Sequence, residues 1–161
     1  MTPGSPLGLL EASALGVAMR KSLWLYPAVE IVHLLGIAAL VGSILVLDLR
    51  LLGLSRSLPV RRLAAHVLPW TLASFVLIVP SGFAMFVAHA SDFIANPVFA
   101  LKIGLILLGG TNAALFHAGV FRGAQGWDVD VMPPPAARAA AVLSLLLWVS
   151  VLACGRLLAY L

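Results

Sequence analysis

Residues 23–47 read LWLYPAVEIVHLLGIAALVGSILVL, an apolar run broken by only one acid, Glu30, and one imidazole, His33. About 20 apolar residues at about 1.5 Å rise cross a hydrocarbon core of about 30 Å, so this stretch is long enough to span a bilayer. An ionisable side chain is costly in lipid and turns toward other helices. Glu30 and His33 are three apart and share one helix face, so that face is expected to look inward.

Outward from this run the chain repeats the pattern. Further spans are expected at about 63–90, 98–119 and 136–160. Pro69 and Pro80 lie inside the second and each removes a backbone hydrogen bond. Gly109, Gly110, Ala113 and Ala114 in the third have the small-residue spacing that lets helices approach closely. Residues 1–22 form a Pro/Gly/Ser lead and a weakly amphipathic segment, about 7–20, suited to the membrane surface, and lack the layout of a signal peptide. The expected fold is all-α: a transmembrane four-helix up-down bundle over 23–161, with a short N-terminal interfacial helix.

Composition agrees. The chain is 62% hydrophobic and 10% charged. A soluble domain carries roughly 25% charged residues, so this is a membrane composition. The net charge of +4 is spread over loops, which points to orientation in a membrane and away from nucleic acid. Arg50, Arg56, Arg61, Arg62, Arg122 and Arg138 fall on the face of links 1–2 and 3–4; Arg20, Lys21 and Arg156 fall on the other, with Lys102 just inside it. By the positive-inside rule the basic links are cytoplasmic and both termini periplasmic, in a bacterial inner membrane. Trp24, Tyr26 and Tyr160 then belong to the outer aromatic belt.

Depth counting places the ionisable groups. Glu30, Lys102 and Arg156 fall near one outer level and are expected to form a buried ion-pair cluster. Such a cluster sets helix register or serves as a proton or ligand site. His66 opens span two and His117 closes span three, both toward the inner face; His33 lies deeper in span one, and His89 ends span two at the outer face. Imidazoles from facing helices at one depth hold a metal or haem iron, and imidazoles at span ends are also ordinary interfacial residues. Asp48-x-Arg50 reads as a local pair or cap at the end of span one, and Asn112 as an interhelical hydrogen-bonding residue. No nucleophile elbow, HExxH, Cys pair or phosphate loop is present, which argues against a hydrolase or nucleotide enzyme.

The segments LWLYPAVEIVHLLGIAALVGSILVLDLRLLGL, LPWTLASFVLIVPSGFAMFVAHA, NPVFALKIGLILLGGTNAALFH and CGRLLAYL together resemble a family of small bacterial four-helix membrane proteins with no assigned function. The resemblance runs from about Leu10 to Leu161 and implies the fold and the membrane, with no activity to carry over. More loosely, a His in the first span, a Gly-containing run and an Arg-Leu end are similar to b-type haem bundles, among them copper-resistance D-type proteins and the small haem-dependent protoporphyrinogen oxidase. The leading expectation is an inner-membrane protein that binds haem b and passes electrons. His66 and His117 would ligate an inner haem iron, and His33, with His89, an outer one. The alternatives are a cofactor-free anchor or subunit packed against a membrane partner or a second copy, and a small proton- or metal-linked transporter using Glu30 and His33.

Overall fold

The computed structural model describes residues 5–160, and it is helical throughout its long elements, with no strand among the described residues. The order is α1 (Pro6–Glu11), α2 (Ala14–Lys21), α3 (Leu25–Leu51), α4 (Val60–Ala88), α5 (Ala90–Ala95), α6 (Pro97–Ala118), a 3₁₀ helix (Val120–Trp127) and α7 (Pro135–Leu157). Four of these, α3, α4, α6 and α7, are long and apolar enough to cross a membrane. α3 outruns the hydropathy estimate and carries the buried Asp48 and Arg50 inside its last turn, where Ser144 meets the first side chain and carbonyls of the links meet the second. α4 runs unbroken through Pro69 and Pro80. The N-terminal segment before α3 is two helices. Ser13 ends the first run, and its hydroxyl accepts from Gly16 N at 3.2 Å to cap the second.

The residues form two compact units. The first takes the chain up to Leu40 together with Leu72–Pro97. Here α3 and α4 run antiparallel, with Gly36 on Ile78 and Tyr26 beside His89. A Cβ on Gly36 would come within 2.8 Å of the Ile78 side chain, so the bare glycine sets this close approach. Met19 of α2 is buried on Ala84 and Ala88, backed by Leu25, Val29 and Met85. Polar contacts tie the lead helices to the end of α4. Arg20 donates to Ala88 O at 2.7 Å and to Glu11 O at 2.6 Å, and Glu11 Oε1 accepts from Ser91 N of α5 at 2.7 Å.

The second unit takes Val41–Thr71 together with the chain from Val98 on. Ser43 and Thr71 hydroxyls join α3 to α4 at 2.8 Å. α6 and α7 are antiparallel: Asn112 Nδ2 donates to Ala140 O at 3.0 Å, Gly109 faces Trp148, and Lys102 faces Gly155. α7 has 39% of its most apolar window buried and α6 only 6%, so α6 turns most of its surface outward. Water would penalise that much exposed apolar surface, whereas acyl chains do not.

Arg50 closes one end of this unit. It is 2% exposed, and it donates from Nε to Leu58 O at 2.8 Å and from Nη2 to Arg56 O at 3.1 Å and Asp128 O at 2.9 Å. Asp128 in turn accepts from Val60 N and, through its carboxylate, from Arg61 N, which caps α4 from a distant link. Beneath lies a core of Leu51, Val60, Phe116, Ala124, Trp127, Ala137 and Ala141.

Arg50→Met keeps the stem and drops three charge-assisted hydrogen bonds, with an expected loss of about 3 kcal/mol in detergent unfolding. Asp128→Asn keeps the backbone acceptor and costs less than about 1 kcal/mol. The Ser91 hydrogen bonds hold the Glu11 carboxyl below its ordinary value of 4.5. The folded state thus favours the carboxylate, and the tie to α5 is fully present above about pH 4.5 and is lost as pH falls through the lower folded value. Hydrogen exchange at the Ser91 amide, corrected for intrinsic rate, should quicken over that acidic range, and Glu11→Gln should flatten the dependence.

Candidate functional site

In the first unit the polar centre is His33. Pro80 of α4 has no N–H, which leaves the turn before it short of one backbone bond. His33 reaches this turn from α3, its Nδ1 lying 3.1 Å from Ile78 O and 2.9 Å from Ser81 Oγ. The carbonyl can only accept, so Nδ1 carries the proton and Nε2 is the basic nitrogen. The Ser81 hydroxyl donates onward to Leu77 O. Gly82 makes room for the ring, since a Cβ there would lie 3.0 Å from His33 Cε1. Glu30, one turn earlier, is exposed and lies near Tyr26. His89 is also exposed, 3.7 Å from Asp92 and edge-on to the Tyr26 ring.

In the second unit the corresponding imidazole is His117. Its Nδ1 donates to Ala113 O at 2.8 Å, and the rings of Phe116 and Phe121 pack at 5.1 and 5.2 Å. Nε2 is buried without a hydrogen-bond partner. His66 is exposed on the second turn of α4. It lies as far before Thr71 as Asp48 lies after Ser43, so His66 and Asp48 share a level. Asp48 meets Ser144, which the α6–α7 register sets opposite residues 109–112. His117 lies farther along α6, about 10 Å from the level of His66 at about 1.5 Å per residue. The sequence reading sets these two at one depth; the offset arises because α4 already begins at Val60.

Asp48, read in the sequence as a local partner of Arg50 or a cap, takes a different place in the structure. It is 6% exposed, faces the Ser144 hydroxyl, and leaves Oδ2 unpartnered. The expected local pair with Arg50 is replaced by two separate commitments, Asp48 to α7 and Arg50 to the links. An acid within the last turns of a span, two residues from a basic one, was the available signal. Of the expected outer cluster, Lys102 is half-buried beside Gly155 and Cys154, and Arg156 bonds Tyr160 Oη with its guanidinium 4.7 Å from that ring. Among the described residues no three His, Cys, Asp or Glu side chains converge to hold a metal ion.

Four helices of membrane-crossing length, with polar side chains turned to neighbouring helices, define a multi-pass integral membrane protein. The chain belongs to the DUF6644 family, a family of unknown function whose model matches residues 9–161. Comparison with curated proteins and with solved structures finds no match.

Ser81→Ala leaves His33 its carbonyl acceptor and should cost only about 0.6 kcal/mol, the usual worth of an interhelical hydrogen bond in a membrane. Gly82→Leu drives a side chain into the imidazole and should cost about 1–3 kcal/mol by equilibrium unfolding in micelles.

Proposed function

We propose that this family member binds b-type haem through imidazole and passes electrons within the membrane. His117 carries the reading. Imidazoles that ligate a metal commonly give one ring N–H to a carbonyl and present the other nitrogen to the metal. His117 has its Nδ1–H on Ala113 O and a buried Nε2 with no hydrogen bond between two phenylalanines. A buried acceptor left unmet is costly, and iron would use it. His33, its Nδ1 held on Ile78 O, is the candidate of the first unit. His66 and His89 are both exposed, and His66 lies off the level of His117 and His89 off that of His33, so neither is assigned as a second ligand. Haem supplies the one-electron chemistry; the protein supplies ligand orientation and a dry setting. The arginines of the two basic links favour an orientation with those links in the cytoplasm of a bacterial cell.

A cofactor-free membrane subunit is the second reading. The outward apolar surface of α6, 6% buried in its most apolar window, favours it by offering a face to a partner.

A reduced-minus-oxidised visible spectrum of the detergent-purified protein, expressed with haem supply, tests the proposal. The expected result is a sharp α band that is lost in His117→Ala while circular dichroism stays helical. A featureless spectrum from folded, haem-supplied protein overturns it and leaves the subunit reading, which expects co-purification with a larger complex.

A further inference from the structure

Among the described residues, Asp48 Oδ2 is a buried acid oxygen without a hydrogen bond. Asp48 is 6% exposed, and its carboxyl meets the Ser144 hydroxyl of α7 through the other oxygen. Ser144 lies on the buried face of α7, between Ala141 and Leu147. A carboxylate in such a place needs a counter-charge, because a lone buried ion is strongly destabilising.

No such charge faces it. On its own helix, Arg50 leaves about 200° round the axis and donates to the carbonyls of Leu58, Arg56 and Asp128. On α4 the titratable group at this level is His66, which is exposed, and its buried neighbour is Val67. On α6 the residues opposite Ser144 are 109–112, where Asn112 gives its amide to Ala140 O. His117 lies farther along α6, and Lys102 is toward its other end, beside Gly155. Among the described residues no cation stands within ion-pair distance of Asp48.

A metal cation or a proton would answer an unmet acid oxygen. Ca²⁺ and Mg²⁺ take about six or more oxygens, whereas Asp48 and Ser144 offer one carboxyl and one hydroxyl. Among the described residues no three His, Cys, Asp or Glu side chains converge to add to them. A proton needs only one oxygen. On Oδ2 it removes the buried charge and leaves Oδ1 as the carbonyl that accepts from Ser144. Asp48 is also near the end of its span: three residues, about 4.5 Å of helix, separate it from Leu51, where α3 ends.

We propose that Asp48 is a proton-binding site inside the membrane-spanning part of the chain, whose Oδ2 takes one proton from water on the side of the basic links and returns it there. One O–H bond forms on uptake, and the same bond breaks on release to leave the carboxylate. Ionisable groups held inside spans in this way serve as proton relays. The inference stands independently of haem.

The experiment is infrared spectroscopy of the full chain in detergent at about pH 6, about two units above the ordinary carboxyl value, where the C=O stretch separates a protonated acid from a carboxylate. Of the six acids only Glu30 and Asp48 lie within spans, so Glu30→Gln leaves Asp48 alone there. That variant should show a protonated-carboxyl band that disappears when Asp48→Asn is added. The band should move down in heavy water, which reports exchange, and up in Ser144→Ala, which removes the hydrogen bond to its C=O. If circular dichroism shows that Asp48→Asn does not fold, the Ser144→Ala shift carries the assignment. No protonated band in folded Glu30→Gln protein, a band that survives Asp48→Asn, one that heavy water leaves unmoved, or one that Ser144→Ala leaves unmoved would each overturn the proposal. So would a band that appears only when sodium and potassium salts are left out, since a metal cation would then be the occupant.

Discussion

Hydrocarbon offers no hydrogen-bond partner, so each polar group that these helices turn inward has to be met by another part of the chain. The contacts within each unit follow from that requirement. Beside Pro80 of α4, the His33 imidazole of α3 meets Ile78 O and Ser81 Oγ, and the Ser81 hydroxyl donates to Leu77 O. Asn112 meets a carbonyl of α7, and Ser43 meets Thr71. Each such contact is worth little by itself, on the order of 0.6 kcal/mol, but slipping the register would strand both partners at several times that cost. The polar pairs therefore select one alignment of helices that apolar packing alone would leave sliding.

The buried polar groups are not equally satisfied. His33 has its Nδ1 shared between two acceptors on α4. Among the described residues of the second unit, three buried atoms lack a hydrogen bond: Asp48 Oδ2, Arg50 Nη1 and His117 Nε2. The Arg50 atom is the remainder of a guanidinium whose other donors hold the links together. The other two are acceptor atoms in apolar surroundings, where an unmet acceptor is costly unless something outside the chain meets it.

The spans were legible because apolar runs of this length have few alternatives, and His33 stood out because it interrupts one of them. Helix ends were less legible. Hydropathy falls at Asp48 and Arg50, yet α3 continues to Leu51, since a charged residue ends an apolar run without ending the backbone ladder. α4 likewise begins at Val60, ahead of the hydropathy estimate, and depths counted from the estimated ends inherit the error, which is how His66 and His117 come to share a level on paper and stand about 10 Å apart along the helices. Rotation about the helix axis was not legible at all. Glu30 lies one turn from His33 and is exposed while the imidazole is half-buried, and Arg156 turns to Tyr160 one turn further along its own chain.

The same geometry explains why Asp48 and Arg50 do not pair. Two residues along an α-helix are about 200° apart around the axis, so side chains at those positions leave on nearly opposite faces. One face of α3 meets α7, where Ser144 supplies a hydroxyl; the other meets the links, where carbonyls of Arg56, Leu58 and Asp128 supply acceptors. An acid and a base adjacent in sequence thus brace two different contacts of one helix. Neutralising each other would have required breaking the helix that both of them help to place. The charge that looks locally balanced in the sequence is divided in space, and the acid is left to a single hydroxyl inside the membrane-spanning part of the chain.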